Sequence, residues 1–358
     1  MDAEDDLLGH SLDWVEELST RCVRVDVITG SLGKGSLPPN VHVHSLGSEK
    51  RESRICKVVN FYVALIRVLR RGRPQGCFAH MNHHYTVLAG PILRALNIPV
   101  IQWHCHRATP WTLRVAHYYS DVLVTATPES CRLPVCNRVI TGHGINTDRY
   151  KLRVNSGSGP FRLLYVGRIA PIKRLELLFE AAAWMVKHAP SFEFTIDVIG
   201  DASPENEEYK QSLLEMISRA GVANQVQFHG RLPHKHVAEK YQNADLCINC
   251  CPEGGLDKMM LEAMCSGVPV LTTNPALKHA WPDECGAKWF HPERDGAEIF
   301  AMRIMDWASF IKNAPIQFYE RLRTAVVLHH GLKQFIDRLL RMFGQFCDDR
   351  ETEKLTTR

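Results

Sequence analysis

The stretch CPEGGLDKMMLEAMCSGVPV, which spans Cys251–Val270, has two glycines before a helical pattern and a glycine and a proline after it. Gly254 and Gly255 allow backbone N–H groups to approach an anion closely, and a helix that begins near Asp257 adds its dipole. Glu262 lies five residues into that helix, where its carboxylate could meet a pair of vicinal hydroxyls. Taken alone, an ordinary glycine-rich turn between a strand and a helix fits the stretch equally well.

Short apolar runs alternate with amphipathic helical patterns along most of the chain, which is typical of βαβ units on a parallel sheet. The polar stretch KLRVNSGSGP at 151–160 interrupts this alternation as a linker would, and a second alternating series follows it. The sequence therefore predicts two doubly wound α/β domains, at 1–150 and 151–325, and a C-terminal helix at 326–347 that packs back towards the first domain. The strands predicted in the first domain are 23–29, 41–46, 76–81, 99–104, 122–127 and 137–142.

The composition is that of a soluble globular protein, with 358 residues of which 45% are hydrophobic and 23% charged. No run of about 18 apolar residues occurs, and the acidic start MDAEDDLLGH differs from the basic and then apolar start of a signal peptide. The twelve cysteines do not form the repeated pairs of a disulfide framework or a zinc site, which favours buried thiols in a reducing compartment. We therefore expect a cytoplasmic protein.

The positive charge lies in the first part of the chain. Residues 1–150 carry 17 Lys and Arg against 13 Asp and Glu, whereas the remainder carries 26 of each. Such a surface could meet an anionic partner or simply be solvated. The run FYVALIRVLRRGR at 61–73 could lie on a membrane, or it could bury one face and place basic residues at the negative end of its dipole. Peripheral membrane contact is therefore one expectation. Nucleic-acid binding is not expected, because the excess of positive charge is small and aromatic and basic residues do not interleave.

Two further loops of the second domain follow predicted strands. Ligands of open α/β sheets bind beyond the carboxyl ends of the strands, where such loops lie. After FRLLYVG, Arg168 and Lys173 flank Pro171 in a loop that enters a helix, and two cations at that position could hold a diphosphate or could be ordinary surface charges. After QVQFHG, the loop that begins at Gly230 and Arg231 could touch the edge of a base, although this signal is weak.

The order of these motifs resembles a known family. The segments VGRIAPIKRLELLFEA, VIGDASPENEEY, VQFHGRLP, EKYQNADLCINC and GGLDKMMLEAMCSGVPVLTTN are similar to the C-terminal half of the retaining glycosyltransferases of family 4. In the first half, FAHMNHHY, IPVIQWHCH, AHYYSDVLVTATPESCRLP and GHGINTDRY resemble the corresponding stretches, so the similarity covers roughly residues 9–346. The resemblance implies the GT-B fold, in which two Rossmann-like domains face a cleft.

The resemblance also implies roles for residues that bind the sugar donor. Arg168 and Lys173 match the basic pair that holds the donor diphosphate and stabilises the departing nucleotide. Gly255 and Leu256 match the loop whose backbone faces the phosphates and the sugar. Glu262 matches the second glutamate of the family's E-x7-E motif, which binds the ribose.

Three more positions follow from the same resemblance. His106 falls near a histidine that family members place beside the transferred sugar, and Gly230 and Arg231 match the loop that brackets the base. The first glutamate of E-x7-E is absent, because that position is Gly254, and the nearest carboxylates are Glu253 and Asp257. The chain also begins at the helix that follows the family's first strand, so that strand is expected to be missing.

The sequence thus predicts a retaining glycosyltransferase that moves a sugar from a nucleotide-diphosphate sugar to a glycan or lipid-linked acceptor. No D-x-D occurs, so protein cations are expected to replace a metal clamp, and no cofactor is expected. The altered E-x7-E and the missing strand favour an alternative, a catalytically impaired relative that binds nucleotide sugar or a partner without transfer. The histidines and cysteine at 80–84 and 104–106 offer a further alternative as a metal cluster, although the carboxylates that usually orient such ligands are lacking.

Overall fold

The computed structural model describes residues 10–33, 37–153, 159–286 and 288–356, and residues 154–158 of the predicted linker at 151–160 lie outside them. The chain forms two compact units. The first unit contains Met1–Asn146 and Leu332–Arg358, and the second contains Thr147–Gly331. None of the described helices is long and apolar enough to cross a membrane.

The N-terminal part of the first unit alternates strands and helices, and all six strands predicted from the sequence are confirmed. Each predicted strand is one to three residues longer than the observed one, because strand ends carry little pattern of their own. In chain order the elements are α1 (His10–Arg21), β1 (Val25–Thr29), β2 (Val41–Ser45), α2 (Arg54–Arg71), β3 (Cys77–His80), α3 (His83–Ala95), β4 (Val100–Trp103), α4 (Trp111–Tyr118), β5 (Val122–Thr125) and β6 (Arg138–Ile140).

The second unit continues the alternation and ends in two helices, and the last helix of the chain returns to the first unit. Its elements are β7 (Phe161–Val166), α5 (Leu175–His188), β8 (Phe194–Ile199), α6 (Glu207–Arg219), β9 (Val226–Gly230), α7 (His234–Asn243), β10 (Leu246–Asn249), α8 (Lys258–Cys265), β11 (Val270–Thr272), α9 (Gly296–Ile311) and α10 (Ile316–His330). The final helix, α11, spans Leu332–Thr356.

The described strands of the first unit form two parallel sheets, one of β1 and β2 and one in the order β3-β4-β5-β6. Strands β4 and β5 are fully buried, and alternate side chains of β5 enter different cores. Val122 and Val124 pack with α11, whereas Leu123 packs with Leu113 of α4. Helices therefore cover both faces of this sheet, which explains why its central strands read as continuous apolar runs.

Helix α11 completes the core of the first unit. Leu332, Phe335, Ile336 and Leu339 of this helix are buried against strands β4 and β5. Trp14 of α1 joins the same cluster and donates from its indole nitrogen to the carbonyl of Gly144 at 2.9 Å. The first unit therefore depends on a segment almost 200 residues further along the chain.

The second unit has one five-stranded parallel sheet in the order β11-β10-β7-β8-β9. The strand that comes first in sequence, β7, lies in the middle, so the chain winds outward first on one side and then on the other. The predicted α/β class with doubly wound parallel sheets is confirmed. The expected absence of a strand before α1 stays a prediction, since residues 1–9 lie outside the described part of the chain.

A cysteine of β10 and the cysteine that directly follows this strand have a spacing that the sequence analysis passed over. Cys247 and Cys250 stand in a C-x-x-C arrangement, which in other proteins forms redox or zinc sites. Both are fully buried free thiols, and burial raises the pKa of each thiol well above its ordinary value. A thiol held protonated is a poor nucleophile and a poor metal ligand, so both residues belong to the core.

Candidate functional site

The candidate site lies at the point where the strand order of the second sheet reverses. Strands β7 and β10 are neighbours there, and the helices that follow them leave towards opposite faces of the sheet. A crevice forms at such a switch point beyond the carboxyl ends of the strands. The loop after β7 carries Arg168 and Lys173, and the loop after β10 carries Glu253 and Asp257.

An ion pair joins the two loops. The ammonium of Lys173 lies 2.7 Å from Oδ2 of Asp257, and the side chains of these residues are only 17% and 29% exposed. Asp257 directly precedes α8, but its side chain does not cap that helix. Its Oδ2 instead accepts a second hydrogen bond, from the amide of Asn249 at 2.8 Å. The predicted start of the helix near Asp257 is confirmed.

Buried amides fix the shape of the loop after β10. Oδ1 of Asn249 accepts hydrogen bonds from the hydroxyl of Thr272 at 3.0 Å and from the backbone N–H of Cys251 at 3.3 Å. Asn274, two residues beyond the end of β11, donates to the carbonyl of Gly255 at 3.1 Å. Both asparagines are about 1% exposed. Because these bonds are satisfied inside the protein, the loop is ordered before any ligand binds.

Three glycines line the carboxyl ends of the neighbouring strands β7, β8 and β9. Gly167, Gly200 and Gly230 have φ values of 157°, 120° and 65°, which residues with a side chain rarely adopt. The N–H of Gly200 donates to the carbonyl of Gly230, and a Cβ on Gly200 would lie 2.0 Å from the carbonyl oxygen of Gly167. We call the carboxyl edge of this sheet the rim. At the rim the backbones approach each other so closely that position 200 accepts only glycine.

Arg168 remains available at this rim. Its side chain is exposed and makes no hydrogen bond or ion pair with any residue that the structure describes. Its carbonyl accepts a hydrogen bond from the hydroxyl of Tyr165 at 2.8 Å, which holds the loop after β7. The pKa of Glu205, beyond β8, is lowered by the hydroxyl of Ser203 and also by the charge of Arg168. The charge of Arg168 therefore reaches the loop that follows β8.

Glu262 lies one turn into α8 and is partly exposed. Its carboxylate accepts a hydrogen bond from the hydroxyl of Tyr241 in α7 at 3.1 Å. Its charge also acts on the phenol of Tyr150. Burial and the charge of Glu262 raise the pKa of both phenols well above the ordinary value, so both stay protonated and can donate. No contact among the described residues joins Glu262 to Arg168 or Lys173.

The remaining residues predicted for the donor site contribute through the backbone or from the edge. Leu256 is buried, so only its main chain can face a ligand. Glu253 has an exposed side chain, and its carbonyl accepts a hydrogen bond from the thiol of Cys251. Arg231 follows Gly230 at the end of β9, and its charge lowers the pKa of Asp201, after the larger effect of the hydrogen bond from Lys210.

The predicted His106 belongs to the first unit, in the loop after β4. It is exposed, and its Nδ1 accepts a hydrogen bond from the backbone N–H of Ala108 at 3.0 Å. The residue that directly follows β4 is His104, which is 4% exposed and donates from Nε2 to the carbonyl of Ala108 at 3.1 Å. Burial lowers the pKa of His104, so this imidazole is neutral near pH 7.

The sequence analysis missed Asn249 and Asn274, polar residues at or just beyond the ends of buried strands, and it named His104 only as a possible metal ligand. A signal was present in each case, because a polar residue closes an apolar run in LCIN, VLTTN and VIQWH. The alternative of a metal cluster gains no support, since the part of the chain that the structure describes contains no group of three His, Cys, Asp or Glu placed to hold a metal ion.

Comparison with known proteins points to one class of enzyme. Residues 160–309 match the family described as "Glycosyl transferases group 1". The D-inositol 3-phosphate glycosyltransferase of Nocardia farcinica is 27% identical over 129 residues, which are 36% of this chain and 29% of that protein. The enzyme of the same name from Kribbella flavida is 34% identical over 113 residues, 30% of this chain and 26% of that protein. The chain thus matches less than a third of the length of these relatives.

Solved structures resemble nearly the whole chain. The crystal structure of HepE from Anabaena in complex with UDP superposes with a TM-score of 0.73 at 14% identity, over 96% of this chain and 98% of that one. Sucrose-phosphate synthase from Thermosynechococcus elongatus gives a TM-score of 0.72 at 15% identity, over 94% and 92%. The chain therefore has the GT-B fold, and its residues 160–309 match the glycosyl transferases group 1.

Proposed function

We propose that this protein is a retaining glycosyltransferase that moves a sugar from a nucleotide-diphosphate sugar to a glycan or lipid-linked acceptor without a metal ion. The observation that carries the proposal is the pairing of Lys173 with Asp257 across the switch point of a glycosyl transferases group 1 domain. Several similar structures were solved with UDP or UDP-glucose, so uridine nucleotides are the first donors to test.

Charge neutralisation is the chemical task of the site. As the glycosidic bond breaks, negative charge grows on the departing diphosphate, and fixed cations stabilise that charge most in a site that excludes water. Arg168, without a partner among the described residues, and Lys173, held by Asp257, are the cations for this role. The dipole of α8 adds to them, since its N-terminus opens at the same rim. The oxygen of the acceptor hydroxyl then bonds to the sugar carbon on the face that the nucleotide leaves, and its proton passes to the departing diphosphate.

Asp257 supplies the carboxylate that the E-x7-E pattern lacks at Gly254. Lys173 and Asn249 both bind Oδ2, whereas Oδ1 has no hydrogen-bond partner among the described residues. Two donors on one oxygen fix the orientation of the carboxylate and leave the other oxygen to accept a bond from a hydroxyl of the transferred sugar. Glu262, oriented by Tyr241, is the carboxylate for the ribose.

A panel of nucleotide sugars tests donor binding. The matching donor raises the melting temperature of the protein by mass action, and transfer or slow hydrolysis of that donor then demonstrates catalysis. The acceptor panel includes glycans, lipid-linked sugars and D-inositol 3-phosphate, the last because the similar enzymes of Nocardia farcinica and Kribbella flavida carry that name.

Lys173→Ala separates catalysis from binding. We expect kcat to fall by about 10²–10³, the usual cost of removing one preorganised donor to a developing charge. Lys240→Ala is the matched control, because Lys240 also faces a carboxylate, that of Asp197, but within the sheet rather than at its rim. Turnover by Lys173→Ala equal to that of the control would refute the assignment.

Asp257→Asn tests the sugar contact. The amide keeps the shape of the carboxylate but loses its charge, so kcat/KM for sugar transfer should fall while affinity for the nucleoside diphosphate without sugar stays close to wild type. A variant that instead loses affinity for the nucleoside diphosphate would show that Asp257 acts only by holding Lys173.

The second candidate function is binding of nucleotide sugar without transfer, and Gly254 in place of a glutamate favours it. Donor binding without hydrolysis or transfer to any acceptor of the panel would support it against the first. The peripheral membrane contact expected from the basic first part of the chain concerns a different surface, the outer face of α2.

A further inference from the structure

Helix α2 is apolar on both sides. Its inner face packs into the first unit through Phe61, Ala64, Leu65 and Val68, which are all buried. A surface helix normally turns charged residues to the opposite side. Here the side opposite the core carries aliphatic residues that are 40–77% exposed, namely Ile55, Val59, Val63 and Ile66.

These four residues form a continuous stripe. At about 100° of rotation per residue, they fall within about 80° of one another around the helix axis. The centre of that arc lies opposite the centre of the four buried residues. Hydrophobic residues that are exposed one at a time are ordinary, whereas four along one line over three turns mark an interaction surface.

The cations of α2 have no acidic residues on the same segment to balance them. The segment 54–73 contains no Asp or Glu. Its cations are Arg54, Lys57, Arg67, Arg70, Arg71 and Arg73. Arg73 donates to the carbonyl of Asn97, and the other five make no ion pair with any residue in the described ranges. Arg70 falls within the arc of the stripe itself, and Arg67 lies beside it.

We propose that the outer face of α2 binds the surface of an anionic lipid bilayer, with the aliphatic stripe inserted among the lipid chains and the arginines against the headgroup phosphates. An apolar stripe flanked by Lys and Arg is the pattern of helices that lie in the interface of a membrane. The helix axis then lies parallel to the membrane plane. This contact alone holds the chain at a lipid surface.

The charge of α2 favours a lipid bilayer over a second copy of the chain as the binding partner of this face. Two copies that joined their stripes would bring the unpaired Arg67 and Arg70 of both copies together, and like charges across an interface oppose association. A bilayer that contains anionic lipid supplies the opposite charge at this end of α2, and each cation near such a surface contributes about 1 kcal/mol.

Vesicle sedimentation with the full chain tests the proposal. We expect the protein to sediment with vesicles that contain phosphatidylglycerol and phosphatidylcholine, to stay in solution with phosphatidylcholine alone, and to be released by salt. Arg67→Gln, Arg70→Gln and Arg71→Gln together should weaken partitioning by about a hundredfold, since each cation contributes about fivefold.

The stripe has its own variant and its own control. Ile55→Ser, Val59→Ser and Ile66→Ser together should abolish sedimentation, because they remove the inserted apolar area while keeping every cation. Ile299→Ser, Ile316→Ser and Leu328→Ser replace three exposed aliphatic residues of the second unit and should leave partitioning unchanged. Circular dichroism and the melting temperature establish that each variant is folded. The arginine variant tests the proposal independently if the stripe variant is destabilised.

Three results would overturn the proposal. The first is equal sedimentation with neutral and anionic vesicles. The second is unchanged partitioning of both α2 variants. The third is a dimer in solution that the stripe variant dissociates while the wild type ignores vesicles, which would assign the stripe to self-association. Donor hydrolysis in solution is unaffected by all three results, so failure here is distinguishable from failure of the proposed transferase activity.

Discussion

The two units of this protein use the same class of parallel sheet but complete it in different ways. In the second unit one continuous segment of the chain forms a single five-stranded sheet. Glycine at position 200 lets the backbones at the ends of β7 and β8 approach closely. The described strands of the first unit form two separate sheets, and a helix from the far end of the chain fills its core. The second unit is thus specified by local sequence, whereas the first depends on distant contacts.

Removal of α11 should have the largest effect on the difference between the two units, because it should unfold only the first. A chain that ends at Gly331 loses four side chains that are 0–5% exposed in the core of the first unit. At about 1.5–3 kcal/mol each, their loss is comparable with the whole stability of a domain. We expect limited proteolysis to degrade the first unit while the second stays resistant. A chain that ends at Phe346 keeps all four residues and serves as the control, and equal resistance of the first unit in both chains would contradict this view of its core.

Gly200→Ala is the corresponding test for the second unit. The added Cβ would meet the carbonyl of Gly167 at a backbone φ of 120°, so we expect a loss of about 2–5 kcal/mol in the free energy of unfolding. Gly72→Ala is the control, because Gly72 has a φ of 146° but no atom within 4 Å of the added Cβ. Chemical denaturation of both variants separates steric overlap from backbone strain. Equal destabilisation would show that the close approach at the rim is unimportant.

Trp14→Phe measures how tightly α1 joins α11 in the first unit. The indole nitrogen donates to the carbonyl of Gly144, and the ring lies 4.4 Å from that of Phe335 between centroids. The smaller ring leaves the carbonyl unsatisfied and a gap in the core, so the first unit should lose about 1–3 kcal/mol. Denaturant unfolding followed by tryptophan fluorescence detects the change. A stability within error of wild type would mean that α1 contributes little to this core.

The smallest expected difference between the two units is in the pH dependence of their stability. Burial lowers the pKa of His83, His104 and His117 in the first unit below the ordinary value of 6.5, and of His291 in the second. The unfolded chain then binds protons that the folded chain does not, so stability falls as the pH drops through about 6.5.

Each such histidine lowers the free energy of unfolding by at most about 0.7 kcal/mol when the pH falls from 7 to 6. We therefore expect the melting temperature of the first unit to fall more than that of the second, and His83→Asn to reduce the difference. A steeper loss in the second unit would contradict this ordering.

Much of the fold was predictable because periodicity reports burial directly. The strands of the first unit, the start of α8 and the α/β class all follow from apolar runs separated by Gly, Pro and polar residues. The donor site was predictable in part, since Arg168, Lys173, Asp257 and Glu262 follow strands. The bridge from Lys173 to Asp257 was not, because it joins residues 84 positions apart.

The sequence by itself determined that strands and helices alternate and which loops carry cations and glycines, because both properties are encoded within a few neighbouring residues. Only the tertiary structure decided which carboxylate holds Lys173, which unit α11 completes and which side of α2 faces outward. Those outcomes depend on pairing between distant segments. A hydrophobic pattern states that a side chain is buried but not against what, and in a helix that is apolar on both sides it does not state which side is buried.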